Sequence, residues 1–204
     1  MPGPLSHAGA YSAFQRLLGA RAAQREAVER HARVQAGERV LDLGCGPADV
    51  LEVLPDTDYL GVDASPRYIT AARRRWHGRA RFACADVTGV EPFARERFDV
   101  VLALSVLHHL DDDRADRMLA AAADRLAGGG RLVTLDPAQA SEQPRLARWV
   151  LARDRGSHLR APEHYRRLAE RRFAAVDTTV RRDLARFGIA HVILECRAPR
   201  AGAA

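Results

Sequence analysis

Three aspartates and a pair of histidines carry the chemistry that this sequence offers. Asp42, Asp63 and Asp86 stand at or near the ends of short apolar runs, beginning at Val40, Tyr59 and Ala80. Beside the first lies Gly44-Cys45-Gly46-Pro47, where glycines let the backbone turn tightly and leave no Cβ in a ligand's way. A carboxylate next to such a turn repels a pyrophosphate and attracts an ammonium group. The pattern is also G-x-G without the third glycine of the dinucleotide fingerprint. Both features point away from a dinucleotide and toward a cationic nucleoside. Asp63 lies about twenty residues past the glycines, where nucleoside-binding α/β folds hold both ribose hydroxyls on one carboxylate. Asp86 is suited to accept from an exocyclic amino group, or to cap a helix. His108 and His109 are the residues able to take up a proton near neutral pH.

These groups meet only if strand ends meet, and the chain has the elements for that. Val40-Leu41-Asp42-Leu43 reads as a buried parallel strand, with Pro47 suited to the first turn of a helix over 48–54. A second strand ends at Asp63, and Ser65-Pro66 caps a helix to about Trp76 whose Arg73-Arg74-Arg75 run is a solvated face. Residues 80–87 form a third strand and Phe98 to Leu104 a fourth. Asp111 to Asp113 open a helix to Leu126. Gly128-Gly129-Gly130 stops it and turns into a fifth strand, Arg131 to Asp136. This alternation implies a parallel sheet with right-handed crossovers. Val176–Arg182 and Ile189–Cys196 then read as two closing strands in an antiparallel hairpin at one sheet edge. The expected fold is α/β, Rossmann-like, with seven mostly parallel strands and helices on both faces. Residues 1–36 form an N-terminal helical cap, which either covers the pocket or is a solvated flank. Residues 37–197 form the main domain, 137–165 a substrate-side insertion, and 198–204 a disordered tail.

Composition narrows the class. The chain has 204 residues, 47% hydrophobic and 28% charged, which fits one soluble globular domain with an adequate core. The formal charge of +6 invites a nucleic-acid reading. However, all 32 basic residues are arginine, lysine and asparagine are absent, and alanine is abundant, as a GC-rich coding sequence would produce. The arginines are interleaved with acids, and 6% aromatics are too few for a base-stacking platform. No nucleic-acid partner is expected. Cys45, Cys84 and Cys196 lie far apart, which suits free thiols in a reducing compartment. With no signal peptide and no membrane-spanning run, a cytoplasmic protein without membrane insertion is expected. No cluster has metal-ligand spacing, so no metal is expected.

Over about residues 37–136 the sequence resembles the class I S-adenosylmethionine-dependent methyltransferases. Val40-Leu41-Asp42-Leu43-Gly44-Cys45-Gly46 is similar to the family's first motif. Asp63 matches its ribose acid and Asp86 its adenine-contacting acid. Residues 98–104 with Leu107-His108-His109-Leu110 match its fourth strand and loop, and Leu126 to Leu132 its glycine turn before strand five. The resemblance implies a last strand inserted antiparallel between strands five and six. It also implies S-adenosyl-L-methionine as cofactor, with S-adenosyl-L-homocysteine as product. Asp42, Gly44, Cys45, Gly46, Asp63, Ala64, Asp86, Val87 and Leu104 would hold it. Tyr11 and Arg16 would reach its carboxylate if the N-terminal helix folds over the pocket.

The acceptor is read less directly. Amino-methylating nucleic-acid enzymes of the family carry Asp/Asn-Pro-Pro-aromatic after strand four, whereas this chain has Ser105-Val106-Leu107-His108. That departure points to the small-molecule branch, home to many natural-product, lipid-precursor and quinone methyltransferases, and to a hydroxyl acceptor ahead of nitrogen or carbon. A catalytic base would then be His109 or His108, one facing the pocket while the other packs or caps the next helix; the alternative is catalysis by proximity alone. Between 153 and 165, Arg153, Arg155, His158, Arg160 and Tyr165 either receive an anionic substrate or form a salt-bridged surface. A monomer or homodimer is expected. The rival readings are a cofactor-binding protein that does not methylate and a macromolecule methyltransferase.

Overall fold

A computed structural model describes residues 20–89, 95–140, 143, 144, 147, 151 and 158–200. Its centre is a seven-stranded sheet in the order β3-β2-β1-β4-β5-β7-β6. The strands are β1 (Arg39–Leu43), β2 (Asp58–Asp63), β3 (Arg81–Cys84), β4 (Phe98–Leu104), β5 (Leu126–Pro137), β6 (Phe173–Arg181) and β7 (His191–Pro199). β1 to β5 pair in parallel, and β7 runs antiparallel between β5 and β6. This is the inserted last strand that the family resemblance implies.

Alternation along the strands divides the core into two layers. Leu41, Leu43, Val101 and Ala103 face α3 (Asp112–Arg125) and α4 (Pro162–Glu170), packing with Met118, Leu119, Tyr165 and Leu168. Val40, Val100, Leu102 and Leu104 face the other way, onto Val50, Leu51 and Ala23 of α1 (Ala20–Glu26), which widens into a π-helical turn over Ala27–Ala32 that adds Ala27, Val28 and Ala32. The described part of the N-terminal region is therefore built into the core rather than laid on it. His31 and Arg33 both bond Glu195 of β7, and Arg131 ties Arg33 and Glu38 to β5. α2 (Pro66–Arg75) starts under the Ser65 cap and α3 under Asp111, as the cap residues predict.

Several boundaries differ from the sequence reading. Over 48–54 the helix shrinks to a 3₁₀ turn, Asp49–Glu52, because Ala48 adopts a left-handed conformation (φ 58°) that delays helix entry beyond Pro47. The glycine triplet does not end α3, which stops at Arg125. Phe98 pairs with Leu126 and Val100 with Arg131, so residues 127–130 bulge from β5 itself. β7 continues through Pro199 and takes in two residues assigned to the tail.

Candidate functional site

In this strand order the chain leaves β1 toward β2 and β3 on one side and toward β4 and β5 on the other. A cavity of about 300 Å³ opens at that switch point, beyond the carboxyl ends of β1, β2 and β4. Its size is that of a small-ligand site.

The glycine turn forms one wall. Gly44 and Gly46 have φ of +75° and +54°, a left-handed conformation that side chains resist. A Cβ at Gly44 would lie 2.5 Å from Val106 Cγ2, so the loop after β4 plugs into the notch left by glycine. At Gly46 a Cβ would meet nothing within 4 Å, which leaves the main chain bare toward the cavity. The Gly46 N–H donates to Asp63 Oδ2 at 2.9 Å and the Ser65 N–H to Asp63 Oδ1 at 2.8 Å. Asp63 thereby locks the glycine turn to the start of α2.

Asp42 forms the floor. It lies one residue inside β1, not at its end, and is 3% exposed. Tyr59 Oη donates to its Oδ2 at 2.5 Å. Burial pushes its carboxyl up to about 7, opposed by the Tyr59 hydrogen bond and reinforced by the neighbouring Asp63. Burial likewise raises the Tyr59 hydroxyl and the Cys45 thiol, so neither is a ready nucleophile. A buried carboxylate that is costly to ionise binds either a proton or a cation brought to it.

Asp86 closes the far side. Its Oδ1 accepts from the Thr88 N–H and hydroxyl at 2.9 and 2.8 Å, and its Oδ2 from Arg114 at 2.9 Å. The Thr88 N–H, ahead of Arg114, holds its carboxyl below the usual range. Ala64, Val87 and Leu104 complete this wall, so each described residue that the resemblance assigns to the cofactor lines one cavity. Tyr11 and Arg16 lie outside the described residues. The sequence reading did not single out Arg21, Gln24, Tyr68, Ser105 or Arg114 as cavity residues. The spacing of Arg21 and Gln24, one helical turn apart, was a usable signal.

The two histidines take different places. His109 lines the cavity, whereas His108 is 1% exposed, with Nδ1 2.7 Å from Asp136 Oδ1. The same carboxylate oxygen accepts the His108 N–H at 3.1 Å. Their rings are 4.0 Å apart between centroids. Ser105, at the end of β4, carries the left-handed φ of 64° that swings this loop into position.

The expected substrate residues are drawn elsewhere. Arg160 is 6% exposed; it donates to the carbonyls of Leu107, Leu110 and His158 and to Asp112 Oδ1, all within 3.0 Å. Its guanidinium is a strut for the histidine loop. Tyr165 is buried and donates to the Pro137 carbonyl at 3.1 Å. His158 gives its main-chain N–H to the His108 carbonyl at 3.0 Å. None of these three side chains lines the cavity. Arg153 and Arg155 lie outside the described residues. Among the described residues no three His, Cys, Asp or Glu side chains converge as for a metal ion, and no helix is long and apolar enough to cross a membrane.

The arrangement fits a nucleoside bearing a cationic amino-acid end. Four acids, Asp42, Asp49, Asp63 and Asp86, line the cavity, bare main chain approaches it at Gly46, and the Arg114 guanidinium is tied to Asp86 instead of forming a phosphate cradle. Residues 40–130 match a protein family described as Methyltransferase domain. Trans-aconitate 2-methyltransferase of Methylobacterium nodulans is 38% identical over 133 residues, covering 62% of this chain and 50% of that protein. Ubiquinone biosynthesis O-methyltransferase of Bradyrhizobium diazoefficiens is 40% identical over 81 residues, covering 37% of this chain and 31% of that protein. The chain thus spans half the length, or less, of these curated relatives. The structure of N-methyltransferase NodS from Bradyrhizobium japonicum with S-adenosyl-L-homocysteine has a TM-score of 0.66 at 18% identity, covering 88% of this chain and 87% of that one, a likeness of fold.

Proposed function

The chain belongs to the class I S-adenosylmethionine-dependent methyltransferase family, and from that premise we propose that it methylates a small molecule, at oxygen ahead of nitrogen or carbon. The observation that carries the reading is the convergence of Asp42, Asp63 and Asp86 on one cavity at the switch point of the sheet. When bound, the cofactor supplies an electrophilic methyl group on a sulfonium sulfur, open to in-line displacement by the acceptor.

In this reading Asp63 receives the ribose hydroxyls, Asp86 the adenine amino group and Asp42 the ammonium group. The acceptor site lies beside the loop after β4, where His109 meets the cavity. His109 takes the acceptor's hydroxyl proton, and His108 fixes the loop through Asp136. Much of the rate comes from holding the acceptor in line, so the rigidity given by Arg160 contributes to turnover. The name of one relative, ubiquinone biosynthesis O-methyltransferase, supports an oxygen acceptor.

Calorimetric titration of ligand-free protein with S-adenosylmethionine and S-adenosylhomocysteine tests this. Wild type is expected to bind both at micromolar concentration, and Asp63→Ala to lose about 100-fold or more, the worth of two charge-assisted hydrogen bonds. Absence of binding to folded wild type refutes the cofactor assignment. Binding without methyl loss across a panel of hydroxyl, amine and carboxylate acceptors favours a non-methylating protein instead.

A further inference from the structure

We propose that Asp42 carries a proton while the cavity is empty and releases it to solvent when the cationic cofactor arrives, so that rising pH switches cofactor occupancy on. The inference rests on the cofactor assignment above and deepens it.

An ionised carboxylate needs water, several hydrogen-bond donors or a cation around it. Asp42 is poor in all three. It alternates with Val40 along β1 and pairs with Leu102 of β4, so it points into the apolar layer beneath α1. Its side chain is buried, and among the described residues Tyr59 Oη is the one hydrogen-bond donor to it.

The groups around it do not supply a cation. β2 contributes Tyr59 and the acid Asp63, and the glycine turn contributes Cys45, whose buried thiol is itself opposed by the charges of Asp42 and Asp63. The 3₁₀ turn adds Asp49, which Arg75 holds from α2. β4 turns only Val100, Leu102 and Leu104 to this layer. Of the arginines at the cavity wall, Arg114 is bonded to Asp86 and Arg21, on α1, to Glu52. Tyr68 and His109 are the other titratable groups there. Burial, reinforced by Asp63, outweighs the Tyr59 hydrogen bond and pushes the Asp42 carboxyl up to about 7.

The sign follows from linkage. A raised acid holds its proton below its folded value, and a cation that needs the ionised form binds more tightly as pH rises through that value. The proton lost from the Asp42 O–H passes to the buffer, while the cofactor's ammonium group keeps its own. Product carrying the same ammonium group leaves by the reverse exchange, the emptied carboxylate taking up a proton.

Calorimetric titration of S-adenosylmethionine into ligand-free wild type at pH 6.5, in buffers of different ionisation enthalpy, counts the protons exchanged. About 0.7 proton is expected to leave per cofactor bound, the protonated fraction of an acid that titrates near 7. Affinity should rise about 25-fold from pH 5.5 to pH 7.5. Asp42→Asn should release no proton and hold its own affinity within about twofold across that range. His109→Gln should keep both the release and the slope, which separates Asp42 from the histidine of the cavity wall. Tyr59→Phe removes the donor that favours the ionised form and should move the midpoint of the rise to higher pH. Binding without proton release at pH 6.5, or a release that vanishes in His109→Gln, overturns the proposal. Failure of folded wild type to bind at any pH strikes the cofactor assignment itself.

Discussion

Replacing Asp42 by asparagine is expected to gain stability relative to wild type as pH rises and to weaken cofactor binding at the same time. The carboxyl is raised by burial from 3.8 to about 7. A raised acid favours folding in full below its unfolded value, and that contribution is lost as pH rises through the folded value. The gap corresponds to about 4 kcal/mol of cost above pH 7, of which more than half accrues between pH 5 and pH 8. Asparagine has nearly the same shape and still accepts from Tyr59 Oη, but it does not titrate. The stability of Asp42→Asn relative to wild type should therefore grow by about 2–3 kcal/mol from pH 5 to pH 8, whatever the constant cost of the substitution. For a chain of this length that is about 5–10 °C in Tm. Urea unfolding of ligand-free protein at half-unit pH steps measures it, since titrating groups that do not interact with Asp42 cancel in the difference. S-adenosylmethionine affinity at pH 8 should fall by about 10-fold or more in the same variant. A stability difference that stays flat across this range refutes the account of Asp42 as a buried carboxylate awaiting a cation.

Three further perturbations separate the roles assigned above. His109→Gln should lower kcat by about 10²–10⁴ if His109 takes the acceptor proton, with cofactor Kd unchanged; an unaffected kcat leaves catalysis to positioning. Arg160→Ala should cost about 3–5 kcal/mol in chemical unfolding, because the carbonyls of Leu107 and Leu110 lose their buried donor; Arg160→Lys should recover little, as an ammonium cannot span them. Gly44→Ala should lose about 2–4 kcal/mol of stability from left-handed strain and the clash with Val106, whereas Gly46→Ala should lose about 1–2 kcal/mol and mainly weaken cofactor titrations. Equal behaviour of the two glycine variants would refute the distinction between packing notch and ligand wall.

What could be read from residues alone was what depends on local backbone and periodicity. Gly44 and Gly46 adopt conformations that favour glycine, and short apolar runs separated by turn signals had to pair in a sheet, so the fold and the β1–loop–β2 corner were legible. Asp63 was legible for the same reason: its distance from the glycines is set by one short crossover between neighbouring parallel strands. Side-chain partners set by packing between distant elements were not. His108 and His109 are adjacent in sequence, and only the Asp136 carboxylate, 28 residues on, decides which one is buried. Arg160 has the composition of a substrate ligand, yet the loop at 107–110 offers it carbonyls, and a buried guanidinium bonds what surrounds it. Arg21 became a cavity residue only when α1 packed across the face from which Asp42 points. The sequence determined the strands, the turn and the acids at their ends; the tertiary structure decided which charged side chains reach the cavity, because burial leaves each of them only the partners that packing supplies.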